Sequence, residues 1–337
     1  MKKLLRKKER LLLLVVIGLV LVLMPVSGKA AEWPEKKVEW KIICGPEGSF
    51  GYAATTVLAK ILTDNIKNFA AYPQAGGTIK GFRQMAKGEL MMTYGNTASL
   101  EQAYLGKGPF AKQPLKGMKP QIGLPILPFT FFMVAKKDSG IYTMDDLAGR
   151  RITISTPAYG IYTPARDVME ALGLWGKVKH KDVSFADYAG AIAGGIVDSI
   201  MIYIISDSTT SGAIRNVEAR IDMRVLTFTE DQKRVINRLP GIGFRYAKNI
   251  FPELKKKTIG GWSYFYGWFF SPRANNELVY EITKICYEKR EELAKALIGF
   301  MPWKTDPKGL LKVGFSITPD VPHHPGAIKF FKEIKVE

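Results

Sequence analysis

The chain has 337 residues, a formal net charge of +18, 47% hydrophobic residues, two cysteines and three histidines. That length and apolar content exclude a disordered chain and a small disulfide-stapled domain, and they suit two lobes or one large α/β domain. The basic balance reads as a solvated lysine-rich exterior, with anionic ligands or membrane surfaces as the alternative; nothing resembles a nucleic-acid module, and no nucleic-acid partner is expected.

The chain opens with a leader. Lys2, Lys3, Arg6, Lys7, Lys8 and Arg10 precede 14 apolar residues, Leu11 to Met24, and Pro25 is followed by small residues up to Ala30. The apolar run is shorter than the ~20 residues that span a bilayer comfortably. Residues 1–30 therefore read as a secretory signal peptide, with an uncleaved N-terminal anchor as the alternative. No cysteine follows the run, which argues against a lipid anchor. The mature chain, still at about +12, is expected in the periplasm or another extracytoplasmic space.

Val38 to Cys44 alternates as a strand, and Ala53, Val57, Leu58, Ile61 and Leu62 then recur on one helical face. "FAAYPQAGG" is a second strand ending in glycines, "TIKGFRQMAKGE" a helix and "LMMTYGNT" a third strand. This alternation predicts a mostly parallel sheet with helices on both faces. The pattern restarts with the buried strand "FTFFMVAKKDSGI" and with "YTMDDLAGRRITIST", a short helix followed by a strand. A loop from Thr156 to Tyr162 leads into the helix "PARDVMEALGL", where Thr163 suits the N-cap and Pro164 the first helical position. Ala165, Val168, Met169 and Leu172 keep helical spacing there. "GGIVDSIMIYII" reads as a strand and "IGGWSYFYGWFFSPR" as a return strand whose alternation buries half its aromatic residues. "NELVYEITKICYEKREELAKAL" reads as one long helix, and the tail as irregular until "PGAIKFFKEI".

Two strand–glycine loop–helix units thus stand at residues 42–62 and 150–174. Ligands of open α/β sheets sit beyond the carboxyl ends of strands, so two such sheets facing each other would put both loops on one cleft. A nucleotide is excluded at the first loop. Gly51 is followed by Tyr52-Ala53 where a P-loop needs Lys and Ser or Thr, no acid ends the second strand, and Glu47 would repel phosphate. The glycines serve either a tight turn or a ligand, and two loops in matching places favour the ligand. No G-x-S-x-G or H-E-x-x-H occurs, and His180, His323 and His324 lack metal-ligand spacing. Cys44 and Cys286 read as buried and inert, with a disulfide, which the compartment permits, as the minority reading. A site without nucleophile, base or metal suits holding a molecule better than converting one, so no catalytic residue, metal or cofactor is expected.

At these loops the chain resembles the TAXI class of solute receptors of tripartite ATP-independent periplasmic (TRAP) transporters, over about Glu39 to Glu333. The resemblance rests on several segments in order: the first glycine loop with Tyr52, "QAGGTIKGFRQMAKGELMMTYGNTASLEQAYLG", "DSGIYTMDDLAGRRITISTPAYGIYTPARDVMEALGL", "AGGIVDSI", "NNELVYEITKICYE" and "HHPGAIKFFKE". It implies a two-lobed, periplasmic-binding-protein type II-like α/β fold, each lobe a mixed, mostly parallel sheet flanked by helices. Residues 31–132 with 262–337 would form lobe 1, and 133–261 lobe 2. It also implies a receptor, taken as a monomer, that closes on a small organic solute (a carboxylate or amino acid) and presents it to a TRAP-type integral membrane permease. A sensor feeding a signalling partner, or an exported enzyme using the same cleft, are the alternatives.

The chain departs from that family at its loops. Pro46, Glu47 and Phe50 intrude in the first, Asn96-Thr97 replace a Gln-Ser pair, and the second reads Ala158-Tyr159-Gly160-Ile161 in place of Gly-Ser-Gly-Thr. Ile205-Ser206-Asp207 stands where a Gly-x-Pro turn is usual. The candidate ligand-binding residues are Glu47, Ser49, Phe50 and Tyr52 of the first loop, and Asn96 and Thr97 at a strand end. Thr156, Tyr159 and Tyr162 of the second loop join them, with Tyr203, Ser206 and Asp207 after a later strand. Ser49 can cap its helix while neighbouring N–H groups meet a carboxylate, Glu47 suits an ammonium group, and the two loop tyrosines suit a lid.

Overall fold

The computed structural model describes residues 36–124, 127–157, 159–254, 257–318 and 320–336; the leader reading of residues 1–30 and the reading of Ala158 lie outside them. The chain begins with three strands in βαβ order. These are β1 (Val38–Cys44), α1 (Phe50–Asn65), β2 (Phe69–Ala75), α2 (Thr78–Ala86), β3 (Met92–Asn96) and α3 (Thr97–Leu105). β1 pairs in parallel with β2 and with β3.

After β4 (Gln121–Ile122) comes β5 (Leu127–Lys136), followed by β6 (Arg151–Thr153), α4 (Tyr162–Ala171), β7 (Lys179–His180), α5 (Tyr188–Ala193) and β8 (Ser199–Ile205). Here β6 pairs in parallel with β7 and with β8. Then α6 (Gly212–Glu218), β9 (Met223–Val225), α7 (Glu230–Ile236) and β10 (Gly243–Lys248) lead to the 13-residue β11 (Thr258–Phe270).

The strand order is β2-β1-β3-β11-β5-β8-β6-β7. Each half repeats one plan. A parallel triplet, β2-β1-β3 or β7-β6-β8, is flanked by an antiparallel strand, β11 or β5, that has crossed from elsewhere in the chain. This is the mixed α/β, type II arrangement expected from the sequence. The parallel pairings are confined to the triplets, however, because the two crossing strands also pair antiparallel with each other, from Trp262–Phe131 to Tyr266–Leu127. The halves thus share one hydrogen-bonded sheet and do not form two separate ones. The expected lobe boundaries, at 132/133 and 261/262, fall inside β5 and β11.

Burial explains where alternation misleads. β5 and β8 are almost wholly buried, as central strands covered on both faces must be. The same holds for β11, so Trp262, Tyr264, Phe265, Tyr266, Trp268, Phe269 and Phe270 are all buried and not half of them. Gly261 lets β11 approach, since a Cβ there would lie 2.1 Å from the Phe131 carbonyl oxygen.

The helices differ from expectation in four places. The buried face of α1 is Ala54, Thr55, Leu58, Ile61 and Leu62; Ala53 is exposed and Val57 half-buried. α4 starts at Tyr162, so Thr163 is not its cap, and Leu172 is half-buried. The long helix breaks at Lys289 into α8 (Asn276–Glu288) and α9 (Arg290–Ala296). The tail holds α10 (Met301–Thr305) and α11 (Pro307–Ile317) before α12 (Pro325–Glu333). Cys44 and Cys286 are free and buried. Among the described residues no helix is long and apolar enough to cross a membrane.

His324 caps α12, its Nδ1 accepting from the Gly326 N–H at 3.2 Å. Burial lowers its pKa from 6.5 to about 4, as it does for its neighbour His323. Between those values the unfolded chain binds more protons than the native one, so stability is full above 6.5 and falls as pH drops toward about 4. His324→Asn keeps a capping oxygen and removes the titration. Its unfolding free energy, followed by urea denaturation from pH 7 to pH 4 (the window is about two units), is expected to fall less steeply than that of the parent.

Candidate functional site

The first loop owes its shape to its helix. Ser49 is the N-cap of α1, its Oγ accepting from the Tyr52 N–H at 3.2 Å. Gly48 takes a left-handed φ of 78°, and a side chain at Gly51 would collide with the Tyr94 ring, its Cβ 2.5 Å from Cε1. The second loop is held by backbone bonds, Tyr159 N–H to Thr156 O and Tyr162 N–H to Tyr159 O, both 3.1 Å.

Both loops open onto a single cavity of about 830 Å³. Gly76–Thr78, at the carboxyl end of β2, and Ser211–Ala213, at the start of α6, complete its mouth. Its floor is aromatic: Tyr94, Phe129, Tyr203 and Tyr266 rise from four neighbouring strands, and Phe185 joins them from the second half. Tyr94 stacks on Tyr266 with centroids 5.3 Å apart, and Phe129 lies 4.7 Å from Tyr266 and 5.6 Å from Tyr203.

The halves touch across this space. Asn96 Nδ2 donates to the Gly160 carbonyl at 3.4 Å, and Gln102 on α3 donates to the Asp167 carboxylate on α4. A Cβ on Gly160 would stand 3.3 Å from Thr78 Oγ1 and 3.6 Å from Tyr266 Oη.

The electrostatics follow from burial. Desolvation raises the pKa of Tyr94, Tyr203 and Tyr266, so their hydroxyls stay neutral. Desolvation also raises Asp167, partly offset by the Gln102 amide. Among the described lining residues Glu47 is the one charged side chain, and it is exposed. α2 follows Gly77, which makes no side-chain cap, so its first N–H groups are not taken by one; at α4 the Tyr162 N–H is bonded to Tyr159 O and Pro164 has no N–H to offer. Among the described residues no group of three or more His, Cys, Asp or Glu is arranged to hold a metal ion.

Of the twelve residues singled out from the sequence, Glu47, Ser49, Phe50, Thr156, Tyr159 and Tyr203 line the cavity. The other six lie outside its lining. Tyr52 sits in the first turn of α1 and is half-buried. Asn96 is buried as the N-cap of α3, accepting from Ser99 N–H at 2.8 Å, and reaches the second loop only through its amide. Thr97 Oγ1 is consumed between Gly241 O and Phe265 N–H, both at 3.1 Å. Tyr162 packs edge-on against Trp175 and His180. Ser206 and Asp207 form a turn with φ of 52° and 53°, and Asp207 pairs with Arg245 at 2.6 Å.

Sequence reasoning passed over Tyr94, Phe129, Phe185 and Tyr266, and also Gly76–Thr78. The last carries the same strand–glycine–helix signal that marks the other loops. The rings carry no local signal, since strands distant in sequence bring them together.

Fold and site together define a two-halved α/β chain with a cavity where matching loops meet. Residues 42–334 match the NMT1-like family, and the chain belongs to it. Solved structures of similar fold include a putative L-cystine ABC transporter protein from Listeria monocytogenes, at 10% identity and a TM-score of 0.44, covering 77% of this chain and 93% of that one. A probable amino-acid ABC transporter extracellular-binding protein from Bacillus subtilis matches at 10% identity and a TM-score of 0.46, covering 81% and 100%. A protein from Bordetella bronchiseptica matches at 15% identity and 0.45, covering 88% and 89%. At these identities and TM-scores the likenesses assign no ligand or partner to the chain.

Ser49→Ala removes the α1 cap and the polar edge of the first loop. It is expected to lower stability by about 1 kcal/mol, measured as a reduced urea midpoint with unchanged slope.

Proposed function

We propose that the chain is an extracytoplasmic solute receptor that captures one small organic molecule between its halves and delivers it to a membrane permease. The observation that carries this reading is the meeting of both glycine loops, from different halves of the sheet, on one cavity of about 830 Å³. Such a volume lies within the range of small-molecule sites. Polar groups of both loops reach a solute together only when the halves are close, so the solute favours the closed arrangement by binding it better than the open one.

The lining supports holding over conversion. It offers hydroxyls, rings, helix starts and the Glu47 carboxylate, a set suited to contact and orientation. The receptor is proposed to work as a monomer outside the cytoplasm, on the strength of the leader or anchor expected from the sequence of residues 1–30. Its partner is proposed to be a TRAP-type permease on the strength of the sequence resemblance. An ABC permease is the competing partner, and a signalling protein the third.

Binding is tested by incubating the exported protein with candidate solutes and following both melting temperature and the mass of the solute. A rise in melting temperature with the solute recovered unchanged is expected; a new product would turn the reading to an enzyme. Gly160→Val puts branched carbon against Thr78 and Tyr266 and is expected to weaken binding roughly tenfold, or ~1.4 kcal/mol, at nearly unchanged melting temperature. Uptake in intact cells separates the partners. Loss of uptake on collapse of the ion gradient, with ATP maintained, supports the TRAP type; dependence on ATP hydrolysis supports the ABC type.

A further inference from the structure

We propose that the solute is an aromatic monocarboxylate: one flat ring system bearing a single carboxylate. The proposal deepens the receptor reading and rests on it.

Rings bound much of the cavity. Tyr94, Phe129, Tyr203 and Tyr266 stand on the sheet side, and Phe185 and Tyr159 continue them toward the second loop. Phe185 lies edge-on to Tyr159 at 5.5 Å and to Tyr203 at 5.6 Å, so the ring surface continues from the second loop to the floor. A flat aromatic solute meets such a surface by stacking and edge contacts that an aliphatic chain cannot reproduce.

The charge of the site suits one anion and opposes two. No lysine, arginine or histidine is among the described lining residues, and the exposed Lys80 beside Gly76 is outside the lining. Positive potential comes from the starts of α1 and α2, whose first residues Phe50, Gly51 and Thr78 are among the lining. A second carboxylate would find no cation there and would meet Glu47 at the mouth. Tyr94, 4% exposed, adds its ring to the lining, and its hydroxyl is buried without a hydrogen-bond partner.

Glu47 leaves two sources of this chemistry, a simple aromatic acid or an aromatic amino acid whose ammonium group pairs with that carboxylate. The test is calorimetric titration of the protein as its host exports it, freed of carried-over solute by unfolding and refolding. The panel is phenylacetate, indole-3-acetate, L-phenylalanine, L-tryptophan, L-glutamate, 2-oxoglutarate and succinate. Aromatic acids are expected to bind at least about tenfold more tightly than the aliphatic dicarboxylates. Phe185→Leu, at a half-buried position, is expected to weaken aromatic binding by about tenfold while the protein stays folded by circular dichroism.

Tighter binding of L-tryptophan than of indole-3-acetate, with Glu47→Gln erasing the margin, identifies the amino acid; equal or weaker binding identifies the simple acid. A dicarboxylate bound as tightly as the aromatic acids, or Phe185→Leu leaving aromatic affinity unchanged, overturns the proposal and leaves the receptor reading standing. Binding by none of the panel also overturns the proposal. Mass spectrometry of solute carried through purification then decides the receptor reading separately.

Discussion

The pairing of β5 with β11 is the contact on which the rest of the molecule depends. These two strands come from positions about 130 residues apart and close a long loop of the chain, so their formation carries a heavy entropic cost. Apolar and aromatic burial offsets it. Phe131 stacks on Tyr264 at 4.6 Å and on Trp262 at 6.3 Å, and Ser263 Oγ donates to the Phe129 carbonyl at 2.8 Å. Once the strands are joined, each parallel triplet has a flank to build on, and the carboxyl ends of both triplets face a common space.

The character of the cavity follows from that pairing. A central strand buried on both faces must be rich in large apolar side chains, and the same rings that fill the core run out into the cavity floor at Phe129 and Tyr266. The mouth is made differently. There the glycine turns bring main-chain N–H groups to the surface of the cavity, and side-chain charge is nearly lacking among the described lining residues. Floor and mouth therefore discriminate by different means, one by shape and polarizable surface, the other by fixed dipoles.

Much of the architecture could be read from periodicity. The bounds of β1 agree with the alternation of Val38–Cys44, and the strand–glycine–helix pattern marked two loops that share the cavity. What escaped was decided by partners distant in sequence. The rings of β11 are all buried because the strand runs through the middle of the sheet, between β3 and β5, and the helix breaks at Lys289 although its apolar pattern continues. Ser206 and Asp207 resemble cleft residues in sequence, yet the Ser206 N–H is held by Pro128 O and Asp207 by Arg245, and both turn away from the lining. Tyr94 and Tyr266 belong to the lining only because β3 and β11 are neighbours.

Asn96 makes one of the polar contacts between the halves, beside that of Gln102 with Asp167. Its Oδ1 is committed to the start of α3, which leaves the amino end of the same group to meet Gly160. A single planar amide thus joins the start of α3 to the second loop, and on the receptor reading its bond to Gly160 is the one an opening cleft would give up while the helix keeps its cap.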